Sequence, residues 1–200
     1  MLRMARRARG FSLVELMIGI AILSMLLALG LPSFRSFLQN SQIRNAAETT
    51  MQGLNLARAE AVRRNTPVRF TLVTSLTATC AASTSSLNWV VSMADPAGAC
   101  NATPSDTAAP QILQIKSAAE GSPLVVAAAT GGSSVIFNAL GRPTGTPITQ
   151  IDFSNPSGGS CEHVDASGTM RCLRVLVSSG GQTKMCDPKV TDTTDPRHCS

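Results

Sequence analysis

The sequence predicts an α+β fold in which one long N-terminal helix packs on a mainly antiparallel β-sheet head. Residues 11–31 form an apolar run, and apolar residues then recur at three- and four-residue steps to about residue 65. From residue 66 onward they alternate in steps of two, as in half-buried strands. These patterns divide the chain into a leader (1–10), a membrane half of the helix (11–31), an amphipathic half (32–65) and a head (66–200).

The leader is predicted to be a targeting segment that is removed by cleavage. It carries four arginines and no acid, a charge pattern that stays on the cytoplasmic side of a membrane. The apolar run behind it is long enough to cross a bilayer core of about 30 Å as a helix. A secretory signal has its small residue after the apolar core, whereas here Gly10 precedes the run. Cleavage after Gly10 would therefore discard the arginines and keep the helix.

The amphipathic half of the helix is expected to end near Asn65, because Pro67 disfavours helix in the residue before it. Residues 11–64 would span about 80 Å at about 1.5 Å per residue, more than a small head can bury. The first half must therefore lie in lipid or among equivalent helices of other subunits. The predicted apolar stripe of the second half consists of Phe34, Phe37, Leu38, Ile43, Ala47, Met51, Leu54, Ala57 and Ala61.

Charged residues cluster near the end of this helix. Such a cluster most often marks a solvated helix face. Docking of another subunit is the alternative interpretation. The residues concerned are Arg58, Glu60, Arg63 and Arg64.

The head is predicted to contain seven strands, with Trp89 pointing inward from the second. Ser-, Thr-, Ala-, Gly-, Pro- and Asp-rich stretches separate the strands and are predicted to be loops. The predicted strands are 68–72, 87–93, 112–115, 124–128, 135–137, 148–153 and 173–177.

Six cysteines all follow the apolar run. If the arginines stay in the cytoplasm, this part of the chain is outside it, where disulfides persist. Zinc is the alternative, since His163 and His198 lie close to two of the cysteines. No Cys-x-x-Cys pair is present, and the spacings do not resemble a zinc module, so no metal is predicted. The disulfide candidates are Cys80, Cys100, Cys161, Cys172, Cys186 and Cys199.

The cysteine pairing follows in part from the strand pattern. Cys172 and Cys186 are symmetric about Ser179 and are expected to face each other across a terminal hairpin. A Cys80–Cys100 bond would close a loop around the Trp89 strand. This leaves Cys161 for Cys199. Six cysteines allow fifteen connectivities, so peptide mapping has to decide among them.

The charge balance argues against a broad nucleic-acid surface. The whole chain has a net charge of +5. Without the leader, thirteen basic residues face twelve acidic ones, and residues 65–200 carry eight basic and nine acidic residues. The basicity thus belongs mostly to the leader, and the head offers no broad cationic footprint for DNA.

The stretch Gly10-Phe11-Ser12-Leu13-Val14-Glu15 resembles the leader of type IV prepilins. The resemblance implies that a membrane peptidase, the prepilin peptidase, cleaves after Gly10 and methylates Phe11. It also implies that Glu15 neutralises the amine of Phe11 in a neighbouring subunit, because an acid inside a membrane segment needs a partner. The alternative is that Glu15 reaches up to the membrane interface.

Three further segments resemble the FimT/FimU/GspH group of minor pilins and pseudopilins. They are 54–68, which contains Leu-Ala-Arg-Ala-Glu-Ala-Val-Arg-Arg-Asn, 136–145, which contains Asn-Ala-Leu-Gly-Arg-Pro, and 172–178 before a glycine turn and Cys186. The loops at 74–110 and 154–170 lie outside this similarity.

The resemblance implies a type IV pilin-like fold and a structural subunit that primes or caps assembly of a type IV pilus, as in pilus biogenesis and twitching motility. Implied partners are other minor pilins, the major pilin, the prepilin peptidase and inner-membrane lipid, with the head in the periplasm. A pseudopilin of a type II protein secretion system is the alternative. No cofactor is implied, and His163 and Asp165 lack a positioned nucleophile, so no enzyme is predicted.

A second alternative is DNA capture during natural transformation. Some FimT-like proteins carry a Gly-Arg-x-Arg pattern in the C-terminal loop, which suits phosphate because guanidinium groups pair with it bidentately. The corresponding residues here are Gly181-Gln182-Thr183-Lys184. Arg174 and Lys184 are the candidate contacts, although lysine lacks the bidentate geometry of arginine.

Overall fold

The structure is a computed structural model that describes residues 12–200. Its longest element is helix α1, Leu13–Arg64. The chain divides into two compact units, Met1–Phe37 and Leu38–Ser200. In the first unit the described residues form the first part of α1. The predicted leader and its cleavage site after Gly10 lie outside the described residues.

Within the second unit, α1 forms one wall of the hydrophobic core. The predicted stripe is confirmed between Ile43 and Ala61, whereas Phe34, Phe37 and Leu38 are exposed. Small side chains recur along the buried stripe, which lets the helix lie close to the strands. The buried apolar residues of α1 are Ile43, Ala46, Ala47, Leu54, Ala57 and Ala61, each at most 3% exposed.

The helix ends where the sequence predicts. Asn65 takes a left-handed conformation with φ 53°, a common way to terminate a helix. The amide of Thr66 donates to the carbonyl of Ala61 at 3.3 Å. Pro67 follows and cannot continue the helix.

Nine strands follow, and all pair antiparallel. They form a five-stranded sheet in the order β3-β2-β1-β5-β6 (sheet A) and a four-stranded sheet in the order β4-β7-β8-β9 (sheet B). The strands are β1 Val68–Val73, β2 Asn88–Ser92, β3 Ile112–Lys116, β4 Val126–Thr130, β5 Ser134–Phe137, β6 Pro143–Thr144, β7 Gln150–Ser154, β8 Leu173–Val177 and β9 Thr183–Cys186.

The predicted α+β class is confirmed, and each of the seven predicted strands has a counterpart. Two further strands, β6 and β9, are not among the seven, although the expected terminal hairpin implies a strand at Cys186. β6 has only two residues, and β9 lacks a clear alternation of apolar and polar residues. The single expected sheet is in fact two sheets, because alternation identifies strands but does not say which strands share hydrogen bonds.

The core is closed by aromatic residues from the strands. The rings of Phe70 and Trp89 lie 5.5 Å apart, and Trp89 is 2% exposed, as predicted from its position. Gly53 of α1 faces both rings, and a Cβ atom there would lie 2.9 Å from each. A glycine at this position therefore sets how closely the helix approaches sheet A. Phe153 extends the same core into sheet B.

Three disulfides use all six cysteines. The predicted Cys80–Cys100 bond is present, with a Cα–Cα distance of 6.1 Å. The predicted Cys161–Cys199 and Cys172–Cys186 pairs are wrong. The structure instead has Cys161–Cys172 and Cys186–Cys199.

The register of the β8–β9 hairpin explains the correction. Its turn is centred on Gly180 and not on Ser179, so Arg174 lies opposite Cys186. A partner of Cys186 on β8 would have to stand at position 174. Cys172 lies before β8 and is bonded to Cys161 of the preceding loop.

Peptide mapping distinguishes the two connectivities. Trypsin cleaves after the basic residues that separate the cysteines of 161–199. From unreduced protein we expect peptide 185–189 linked to peptide 198–200, and peptide 172–174 linked to the peptide that contains Cys161, as read by mass spectrometry. A reduced sample is the control, and a link between 172–174 and 185–189 would contradict the structure.

Candidate assembly site

The described part of α1 begins with a hydrogen-bonded cap. The amide of Glu15 donates to Oγ of Ser12 at 3.2 Å, and the amide of Leu16 donates to the carbonyl of Ser12 at 3.1 Å. Ser12 is thus the N-cap, and Glu15 stands three residues later, in the first turn, where the helix dipole favours a negative charge. The role of Ser12 was missed, although the Ser-x-x-Glu spacing is a known start signal.

The apolar segment that follows is exposed along its whole described length. The large apolar side chains between Leu13 and Leu27 are 54–74% exposed. The best 18-residue window of α1 has a mean hydropathy of 2.4, so the helix is long and apolar enough to cross a membrane. The hydroxyl of Ser24 donates to the carbonyl of Ala21 at 2.9 Å within the helix. This surface suits lipid or other helices, because water does not favour so large an apolar area.

In the head, three segments meet at the C-terminal end of α1. Nε of Arg58 donates to the carbonyl of Gly141 at 3.2 Å. Gly141 (φ 71°) lies in the turn 138–142, and Gly181 (φ 78°) lies in the turn 178–182. A Cβ atom on Gly181 would overlap the carbonyl oxygen of Gly141. The two turns can therefore touch only because Gly181 lacks a side chain, and a Cβ atom on Gly141 would crowd Arg58 and Val62 at 3.1–3.2 Å. We call Arg58, Gly141 and Gly181 the glycine clasp.

Arg58 belongs to segment 54–68 and Gly141 to segment 136–145, both of which resemble the family. Gly181 lies in the glycine turn that follows the third such segment, 172–178. Gly141 and Arg142 lie in the turn between β5 and β6, and Pro143 begins β6. Arg58 is half-buried and bonded, so its expected place on a solvated face is wrong. Sequence reasoning missed this convergence, because nothing in the chain order brings positions 58, 141 and 181 together.

A charge network lies on the other side of the helix end. Glu60 binds Arg63 at 2.6 Å and Arg64 at 2.7 Å, and Arg64 also binds Asp106 of a head loop at 2.7 Å. Hydrogen bonds from Arg63 and then Arg64 lower the pKa of Glu60. Arg63 is largely exposed as expected, but Arg64 is not, since its side chain is only 21% exposed. The network ties the loop to α1.

The candidate DNA contacts lie on neighbouring strands of sheet B. Arg174 on β8 forms an ion pair with Asp152 at 2.7 Å. Nζ of Lys184 on β9 donates to Oγ of Ser200 at 3.3 Å, and the lysine is half-buried. Both cations therefore have partners within the head. Within residues 12–200 no three His, Cys, Asp or Glu side chains are grouped so that they could hold a metal ion.

Comparison with known families decides the class of protein. The family described as type II transport protein GspH matches residues 46–181, which is more than half of the chain. The chain belongs to the GspH family. The prokaryotic N-terminal methylation motif matches residues 5–31. The two matches make this GspH-family chain a member of the minor pilin and pseudopilin class, whose subunits are structural.

Solved structures similar to this GspH-family chain include two crystal forms of the type IV minor pilin FimU from Pseudomonas aeruginosa. The form in space group P21 is 14% identical, covers 78% of this chain and 97% of its own, and has a TM-score of 0.47. The form in P65 is 13% identical, covers 75% and 97%, and has a TM-score of 0.44. No curated protein sequence matches the chain at a significant level.

The glycine clasp is tested by adding one methyl group. We expect Gly181→Ala to lower the free energy of unfolding by at least about 2 kcal/mol, from left-handed strain and overlap with Gly141. Gly180→Ala is the matched control in the same turn, where the nearest atom would be 3.8 Å away, and should change stability by less than about 0.5 kcal/mol. Chemical unfolding of the purified chain measures both, and equal effects would contradict the clasp.

Proposed function

We propose that this chain is a minor pilin that primes or caps assembly of a type IV pilus. The observation that carries the proposal is the exposed apolar segment of α1 between Leu13 and Leu27, together with the methylation motif around it. A helix of this kind is stable in lipid and can also pack among similar helices in a filament core. The proposed chemistry is noncovalent stacking of such helices.

Processing would prepare the helix for this role. The prepilin peptidase cleaves after Gly10 and methylates the new N-terminal amine of Phe11. Cleavage removes four of the seventeen basic residues and lowers the net charge from +5 to +1. Ser12 caps the described start of the helix, directly after this amine in the sequence. A free cation at this position can meet Glu15 of a neighbouring subunit, which removes the cost of an unpaired acid in the membrane.

Before assembly, the proposed location is the bacterial inner membrane, with a single span and a periplasmic head. The arginines of the leader favour a cytoplasmic N-terminus. The head carries three disulfides, which persist in oxidising compartments such as the periplasm. Charge and cysteine chemistry thus favour the same orientation. Other minor pilins and the major pilin are the proposed partners in the membrane.

A pseudopilin of a type II secretion system is the second candidate. The observation that favours it is the matched family, whose description is that of a type II transport protein. Composition favours the pilus, since the head has six cysteines and loops rich in Thr and Ala. The leader, the helix and the head serve both machines in the same way, so only the partners differ.

We do not extend the proposal to DNA capture. Arg174 is neutralised by Asp152, and Lys184 is half-buried beside Ser200. Phosphate contacts need cations that are free to replace counterions. Residues 66–200 contain no tyrosine, and their one tryptophan and three phenylalanines are buried, so the head offers no aromatic stacking platform.

Gene deletion separates the two machines. We expect deletion to abolish surface pili and twitching motility while export of type II secretion substrates continues. Expression of the gene from a plasmid should restore motility. Lost export with normal motility would instead support the pseudopilin candidate, and no change in either would contradict both.

Glu15→Ala tests the proposed helix pairing. We expect the variant to be cleaved and inserted normally but to enter filaments at least about tenfold less, because the amine of Phe11 loses its counter-charge. Glu48→Ala is the matched control, since Glu48 is an acid of the same helix with only a surface ion pair to Arg44. Immunoblots of sheared filaments and of membranes measure both pools. Normal incorporation of Glu15→Ala would remove the pairing role.

A further inference from the structure

The head exposes two large apolar side chains far more than any other in the unit Leu38–Ser200. Leu140 is 78% exposed and Val164 is 76% exposed. Each lies in a compact loop that projects its side chain into solvent. We call residues 138–142 the tip turn and residues 161–172 the base loop.

The tip turn is built around the side chain of Asn138. Its Oδ1 accepts hydrogen bonds from the backbone amides of Leu140 and Arg142, both at 3.0 Å. The backbone amide of Asn138 donates to the carbonyl of Arg142 at 2.9 Å. The glycine clasp holds the turn on α1 through Arg58. Arg142 is exposed, and its guanidinium forms none of the ion pairs found within residues 12–200. The turn thus presents an apolar side chain beside an available positive charge.

The base loop is closed by the Cys161–Cys172 disulfide. The amides of Val164 and Asp165 both donate to the carbonyl of Cys161 at 3.0 Å, which fixes the backbone below the exposed valine. Asp165 accepts hydrogen bonds from the amide and hydroxyl of Ser167 at 2.9 and 2.7 Å, and these bonds lower its pKa. Among the described residues no cation pairs with Asp165. The loop presents an apolar side chain beside an available negative charge.

The two loops are attached to α1 at different heights. The tip turn is bonded to Arg58, whereas the amide of Arg171 in the base loop donates to Oδ1 of Asn40 at 2.9 Å. These two helix positions lie about 27 Å apart, at about 1.5 Å per residue. The loops therefore lie at opposite ends of the head along the helix axis. They carry opposite charges, and each exposes one apolar side chain.

We propose that the tip turn of one chain docks on the base loop of a second copy, with Leu140 against Val164 and Arg142 against Asp165. Charge complementarity between the two surfaces identifies a second copy as the occupant. Because the two surfaces differ, the contact is head-to-tail and leaves one free tip and one free base in every row. The contact is independent of the machine that the chain serves.

Charge reversal tests the contact in the purified full-length chain in detergent micelles. Sedimentation velocity should show self-association of the wild type that weakens as salt rises, because salt screens exposed ion pairs. Arg142→Asp and Asp165→Arg should each weaken self-association about tenfold, since each places like charges together. The double variant Arg142→Asp/Asp165→Arg restores opposite charges and should return to within about threefold of the wild type.

Each failure mode of this experiment is informative. A wild type that remains monomeric would overturn the second copy as occupant. Single variants that associate like the wild type would place self-association elsewhere, for example in the apolar helix, which all variants share. Weak single variants without rescue in the double variant would also overturn the pairing. Both positions are exposed, and equal unfolding midpoints would confirm that the variants are folded.

Discussion

The apolar surface of α1 is the constraint on which the rest of the structure depends. Eleven large apolar side chains between Leu13 and Leu27 are more than half exposed. Burying one such side chain contributes about 1.5–3 kcal/mol, so their joint exposure to water would cost more than a small domain can offset. The helix therefore requires lipid or other helices, and the methylation motif at residues 5–31 overlaps this part of it.

The second half of the same helix packs against the two sheets of the head. Its small buried residues and Gly53 let two sheets approach closely, and Phe70 and Trp89 fill the space that remains. At its end the glycine clasp holds two turns against the helix. The clasp thus fixes these two turns on the helix, and a loop that is already fixed loses little entropy when it binds a partner.

Particular residues explain which predictions held. The buried stripe from Ile43 to Ala61 and the helix end before Pro67 depend on local periodicity and on proline, and both were predicted. The pairing of Cys172 with Cys186 failed because the hairpin turns about Gly180, one position beyond the assumed centre, which moves the residue opposite Cys186 by two. Arg58 was expected in solvent because a helix pattern does not reveal which loops return to cover it.

The sequence by itself determined the long apolar helix, its amphipathic continuation, most strands and the family, because each of these depends on the spacing of residues along the chain. Only the tertiary structure decided the division into two sheets, two of the three disulfides, the glycine clasp and the opposite placement of the tip turn and base loop. Those features join residues that are distant in sequence, from 40 with 171 to 58 with 141. Which of these residues meet is decided by packing in three dimensions, and packing leaves no regular spacing pattern in the sequence.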